Sequence, residues 1–223
     1  MLNEDLMAMI VERDNLRQAY RHVKAKAGAA GVDGMTVATF AAHARVHGPG
    51  IKATLEDGSY QPGAGRGVGL ANPNGGERRL GIPTVQDRRI QPAVRQGLTP
   101  GFEPAFSAHS YGYRPGRSAH DAVQAAQAHL RAGYTWTVEV DISAFFDEID
   151  HDILMRQVSA KVRDKRVLRL IGDYRRAPVH RDGRVEKRTR GTPQGGPLSP
   201  LLANRYLDVL DKEVERRGLN VCR

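Results

Sequence analysis

The chain has 223 residues, a formal net charge of +9 and a pI near 10.0. That length can bury a proper core as one large domain or two small ones, and the basic excess points to a polyanionic partner, nucleic acid before membrane. One cysteine, Cys222, excludes a disulfide framework and a multi-cysteine zinc site, and no stretch approaches the ~20 apolar residues of a membrane span.

The acidic start, with Glu4 and Asp5, is not a signal peptide, so the expectation is a soluble, cytoplasmic protein with no membrane partner. Leu6, Met9, Ile10, Leu16, Tyr20 and Val23 predict one helix from Asn3 to about Ala27, broken by AGAAGVDGMT and followed by a second, short helix after Thr36. Gly58 to Gly76 is rich in Gly, Pro and Asn and suits short strands joined by turns. Within it, Gly63 to Gly67 resembles a phosphate loop only superficially, because no helix with an apolar period follows. Arg78–Pro83 predicts a strand and Asp87 to about Leu98 a helix. Ser118, with Asp121 three residues on, predicts the capped start of an Ala-rich helix ending near Gly133.

The segment Tyr134–His151 carries the most information. Tyr134, Trp136, Val138, Val140 and Ile142 alternate with Thr135, Thr137, Glu139 and Asp141, the period of a half-buried strand that presents Asp141 outward near its end. Such an acid suits a divalent metal, although the strand alone favours a solvated edge residue. Asp150 is expected to cap a helix that turns Ile153, Leu154 and Val158 inward. A further helix from Asp164 buries Val167, Leu168, Leu170, Ile171 and Tyr174, and Asp182-Gly183 makes a two-residue hairpin turn. Residues 161–190 hold twelve Lys or Arg against four acids, nearly the whole basic excess, which reads as a phosphate-binding surface. In the last helix Ser199 is the expected N-cap and Leu201, Leu202, Leu207, Leu210 and Val214 the apolar face. Asp208 with Lys212 and Glu213 with Arg217 form acid-first pairs, and Gly218 is the stop. The elements mix without strict alternation, so the class is α+β. An acid for a metal, the permissive Arg190–Pro197 turn and a basic flank together point to phosphoryl transfer on nucleic acid.

Five segments in order resemble the bacterial group II intron reverse transcriptases, or intron-encoded maturases: LRQAYRHVKAKAGAAGVDGMT, RRLGIPTVQDRRIQ, FSAHSYGYRPGRSAHDAV, VDISAFFDEIDH and RGTPQGGPLSPLLAN. The resemblance implies a right-hand polymerase. Residues 1–57 would be an N-terminal helical extension, 58–133 fingers, 134–160 palm with motif A, 161–190 a basic fingers segment, and 191–223 the motif B part of an incomplete palm. It implies that Asp141 and the Ile142 carbonyl bind catalytic Mg2+, that Phe146 is a steric gate under the sugar, that Arg78 grips the triphosphate, and that Gln194 and Gly195 line the incoming dNTP. Lys187, Arg188 and Arg190 would hold nucleic acid, while Arg114 and Arg117 would either hold template backbone or brace the fingers. Asp147, Asp150 and His151 would be structural. The implied partners are an RNA template or intron RNA and a DNA primer.

Two departures stand out. Asn72 occupies a place where the family usually has lysine, which would weaken one triphosphate contact. The family's tyrosine-alanine-aspartate-aspartate motif would begin just after the point matching Val221-Cys222-Arg223. The expectation is therefore a chain that does not polymerise alone, with three origins left open: an incomplete sequence, a frameshifted relic, or a split gene in which a second polypeptide completes the palm. The alternatives are a non-catalytic RNA-binding or splicing-support fragment, and a retron or diversity-generating reverse transcriptase.

Overall fold

The computed structural model describes residue 2 and residues 5–71, 77–186, 190–192 and 195–223, the side chains of residues 77–79 excepted. Asn3, Glu4, Asn72, Lys187, Arg188 and Gln194, all singled out by sequence, lie outside the described residues, as does the side chain of Arg78.

The expected first helix is two, α1 (Leu6–Ile10) and α2 (Arg13–Lys26). The break has a local cause: the Asn15 amide donates to the Ile10 carbonyl at 2.8 Å and to Ala93 at 3.2 Å, satisfying the end of α1 from the side. Helix α3 (Val37–Glu56) is long rather than short, 20 residues opened by a reciprocal Thr36/Thr39 capping box. Strands β1 (Gly65–Ala71) and β2 (Glu77–Ile82) follow, so Gly65 and Gly67 belong to a ladder. Helix α4 (Val85–Phe102) starts at Thr84, whose hydroxyl accepts from the Asp87 amide. Helix α5 (Ala119–Arg131) has the expected Ser118/Asp121 capping box.

After a one-turn helix α6 (Phe145–Glu148), Asp150 caps α7 (His151–Ser159) by accepting from the Asp152 and Ile153 amides, and Asp164 caps α8 (Lys165–Arg176). The hairpin of β3 (Val179–Arg181) and β4 (Arg184–Glu186) turns at Asp182 and Gly183, both at positive φ as a type I′ turn requires. Helix α9 (Ser199–Arg216) closes the fold, with Leu198 rather than Ser199 at the cap position. The strands form one mixed sheet in the order β2-β1-β3-β4. β1 is antiparallel to β2 and parallel to β3, so residues more than a hundred positions apart share one sheet.

The main core joins Leu6, Ile10 and Val11 to Ile90, Val94 and Leu98 of α4, Leu154 and Val158 of α7, Val167 and Ile171 of α8, and Leu201 and Leu202 of α9. Each such side chain, fully buried, contributes about 1.5–3 kcal/mol. A smaller cluster of Val23, Phe40 and Val85 seats α3. No described helix is long and apolar enough to cross a membrane.

Three expectations are corrected. Residues 134–142 are not a strand: they lack regular structure, and Trp136, Val138 and Val140 are 95%, 86% and 77% exposed. Alternation specifies the two faces of a strand, but a strand also needs a hydrogen-bonding neighbour, and the described strands all pair elsewhere. Ile153 is exposed and Leu168 only half-buried. On α9, Leu210 faces solvent, while Asn204, Asp208 and Asp211 are buried.

Candidate nucleotide and nucleic-acid site

The two most informative sequence segments dock backbone to backbone. The Thr192 amide donates to the Phe146 carbonyl at 2.7 Å and the Gly191 amide to the Ile149 carbonyl at 2.9 Å. His151 Nε2 lies 2.6 Å from the Gly191 carbonyl, which can only accept, so that nitrogen carries a proton. Burial, reinforced by Arg175 and Arg176, pulls the imidazole below its ordinary range, although the Gly191 contact opposes this, so His151 is neutral at pH 7 with hydrogen on Nε2. The structural role expected of Asp150 and His151 thus has a definite form: one caps α7 and the other ties it to the turn.

Phe146 is half-buried, with its ring 5.4 Å from Phe145 in an edge-on contact, and Phe145 in turn lies 6.1 Å from Tyr206. Asp141 and Ile142 lie exposed on the segment leading into α6. Gly195, at a φ of 105°, lies so that a Cβ there would be 3.4 Å from the Gly81 carbonyl, which sets the turn against β2, the strand carrying Arg78. Arg190 is exposed and 3.6 Å from Glu148. The structure therefore groups Phe146, Arg190, Gly195 and the Arg78 strand around one turn. Among the described residues no three His, Cys, Asp or Glu come together to hold a cation, at Asp141 or elsewhere. Asp141 by itself does not fit a two-ion centre.

Arg114 and Arg117 bond within their own loop and to the Glu103–Ala105 turn before it. Arg114 is buried. Its Nε donates to Glu103 at 2.7 Å, Nη1 to the Ser107 and Ser110 carbonyls, and Nη2 to the Glu103 carbonyl, with the guanidinium over the Phe106 ring. Arg117 donates to the Ala108 and Ser110 carbonyls and stacks on Tyr111. This loop is clamped to the buried polar face of α9. The Ser107 amide meets Asp208, the Ser107 hydroxyl meets Glu215, and Asn204 donates to the Gly112 carbonyl at 2.8 Å. Arg223 forks onto Asp211 at 2.8 and 2.6 Å and reaches Asn204 and Ser110. Sequence reasoning missed that face, although Asn204, Asp208, Asp211 and Glu215 recur at helical spacing.

The basic segment is less available than its count implies. Arg166 is held by Asp164 at 2.8 Å and Asp5 at 2.7 Å, Arg176 by Asp173 at 2.8 Å, Arg169 by Asp173 at 3.9 Å, and Arg181 by Glu186 at 3.6 Å. Arg175 is buried, and Lys161, Lys165 and Arg184 carry no ion pair among the described residues.

A family model described as reverse transcriptase (RNA-dependent DNA polymerase) matches residues 70–223. The group II intron-encoded protein LtrA of Lactococcus lactis subsp. cremoris is 42% identical over 165 residues, covering 74% of this chain and 27% of LtrA. Protein YkfC of Escherichia coli (strain K12) is 34% identical over 221 residues, 96% of this chain and 58% of YkfC. The chain thus spans well under two thirds of either relative. Among solved structures, a chain of the partial Cas6-RT-Cas1–Cas2 complex is similar with a TM-score of 0.64 and 28% identity, over 95% of this chain and 35% of that one.

Proposed function

Since the chain belongs to the reverse transcriptase (RNA-dependent DNA polymerase) family, with group II intron-encoded proteins among its relatives, we propose that it forms the fingers and the front of the palm of an RNA-directed DNA polymerase. The reaction is nucleotidyl transfer from a dNTP to a primer 3′-OH on an RNA template, with intron RNA binding and splicing assistance beside it. The observation that carries this reading is the docking of the Gly191–Thr192 turn on Phe146 and Ile149, which joins segments more than forty residues apart. At that junction Phe146 screens the sugar and Gly195 lines the incoming nucleotide; Gln194 and the Arg78 guanidinium, outside the described residues, are assigned to the nucleotide and the triphosphate. Asp141, with the Ile142 carbonyl, offers one carboxylate to a divalent cation, Mg2+ by its preference for oxygen ligands, and the other acids come from outside the described residues, in a longer chain or a second polypeptide. In this division residues 1–57 form the helical extension, 58–133 and 161–190 the fingers, and 134–160 and 191–223 the palm portion.

Among the described residues no carboxylate cluster forms at Asp141, which favours, for these residues taken alone, the second reading: RNA binding without synthesis. Primer extension on an RNA template is the test. The purified 223-residue chain is expected to give no product that depends on Asp141, and synthesis abolished by Asp141→Ala would refute this.

RNA binding itself is expected to depend on salt. With Lys161, Lys165, Arg184, Lys187 and Arg188 facing phosphates, log K should fall against log salt with a slope of about −3.5 for single-stranded RNA. Lys187→Ala with Arg188→Ala should flatten that slope by about 1.4. A flat salt response from 50 to 200 mM, measured by fluorescence anisotropy at about those concentrations, would remove the basic segment from the interface.

A further inference from the structure

We propose that the cavity between Arg175 of α8, Thr192 and the N-terminal end of α9 is a binding site for a single monatomic anion of chloride size. The site stands apart from the polymerase reading. Arg175 is 4% exposed and Thr192 1% exposed, and Arg175 Nε and Nη1 and Thr192 Oγ1 all lack a hydrogen-bond partner among the described residues. The three unmet groups line one cavity of about 10 Å3 together with Gln91, Tyr174 and Leu198, room for about one water-sized group.

The character of the lining chooses the occupant. Gln91 Oε1 accepts from the Leu198 amide at 3.4 Å, and the Tyr174 hydroxyl donates away, to Asp87 at 3.1 Å. The unmet Arg175 groups can only donate, and the Thr192 hydroxyl can donate or accept. A water could accept from them but would leave the guanidinium charge unmatched, whereas a halide accepts and also compensates the charge. Arg175 also has no ion pair among the described residues. Asp152, Asp150 and Asp173 favour its charge without pairing with it, Arg176 opposes them, and Arg176 holds Asp173 Oδ1 while the buried Asp173 Oδ2 has no hydrogen-bond partner among these residues. A guanidinium buried in that state is costly until a negative charge compensates it. The first amides of α9 are already taken, Ser199 by the Gly196 carbonyl and Leu201 and Leu202 by that of Leu198, so the helix adds only the positive potential of its end. The anion would tie α8 to the turn carrying Thr192, behind the junction with Phe146.

The probe is bromide. Crystals of the full chain grown with sodium bromide are expected to show an anomalous peak within hydrogen-bonding reach of the Arg175 guanidinium and the Thr192 hydroxyl. In solution, exchanging gluconate for chloride at constant ionic strength should raise the melting temperature by about 2–4 °C. Arg175→Met, which removes the charge and keeps much of the volume, should abolish that difference. Should this variant not fold, Thr192→Val should at least halve the difference. A cavity with no bromide peak, or a chloride effect that is unchanged in the variants, overturns the assignment.

Discussion

Gly191→Ala is expected to destabilise the protein by about 2–5 kcal/mol, the sum of a left-handed backbone penalty of about 1–2 and an overlap of about 1–3. Gly191 has a φ of 78°, where an L side chain is strained. A Cβ there would also lie 2.6 Å from the Phe146 carbonyl oxygen, 2.7 Å from that of Asp147 and 2.8 Å from the Asp147 Cα. These are backbone atoms and cannot swing aside as a side-chain tip would. Relief requires the turn to withdraw, which breaks the Gly191–Ile149 and Thr192–Phe146 hydrogen bonds that join the two halves of the site. Gly183→Ala is the internal control: its φ of 75° is similar, but nothing lies within 4 Å of a Cβ, so only the backbone penalty of about 1–2 kcal/mol applies. Urea unfolding of both variants measures the difference. Equal losses would mean that the turn does not press on α6.

The contrast between these glycines also shows what was legible in the chain. Devices that close within a few residues could be read directly: the Ser118/Asp121 box, the Asp150 cap, the helix start at Asp164 and the Asp182-Gly183 turn. Gly191 was legible as permissive backbone, but its necessity comes from Phe146 and Asp147, far away in sequence. The same division explains the errors. The alternation in Tyr134–Ile142 describes the faces of a strand and is silent about its neighbour. The leucines of α9 suggested an apolar face reaching Leu210, yet the helix turns Asn204, Asp208 and Asp211 inward because Arg205, Lys212, Arg223 and Ser107 are there to meet them. The basic run counted charges but could not count the acids that fold against them. Arg114, which the sequence leaves open between template and brace, is enclosed by Glu103 and the Ser107 and Ser110 carbonyls, contacts that no local pattern announces. The family was legible because motif order is one-dimensional; the site needed the contacts.

Asp87→Ala is expected to cost about 3–5 kcal/mol, since it leaves several buried donors without an acceptor at once. The Asp87 carboxylate accepts from the Thr84 hydroxyl at 2.7 Å, the Tyr60 hydroxyl at 2.9 Å, the Gly63 amide at 3.0 Å and the Tyr174 hydroxyl at 3.1 Å. It thereby joins the approach to β1, the start of α4 and the end of α8 beneath the sheet that carries Arg78. Asp87→Asn should cost about half as much: one oxygen still accepts, and a rotating hydroxyl can accept from the amide, whereas the Gly63 N–H cannot reverse its role. The pH dependence separates packing from charge. Burial raises the Asp87 carboxyl above its ordinary 3.8 despite the hydrogen bonds that favour the anion. In the window between 3.8 and the raised value, the folded protein binds a proton that the unfolded chain has released, so folding stability from this group grows as pH falls. Asparagine has no such proton. The stability gap between the parent and Asp87→Asn should therefore be smallest at neutral pH and widen on acidification toward pH 4, while every other titrating group cancels in the difference. Urea titrations across that range read the gap directly, and a gap that closed on acidification would mean that the four donors, rather than burial, set the charge of Asp87.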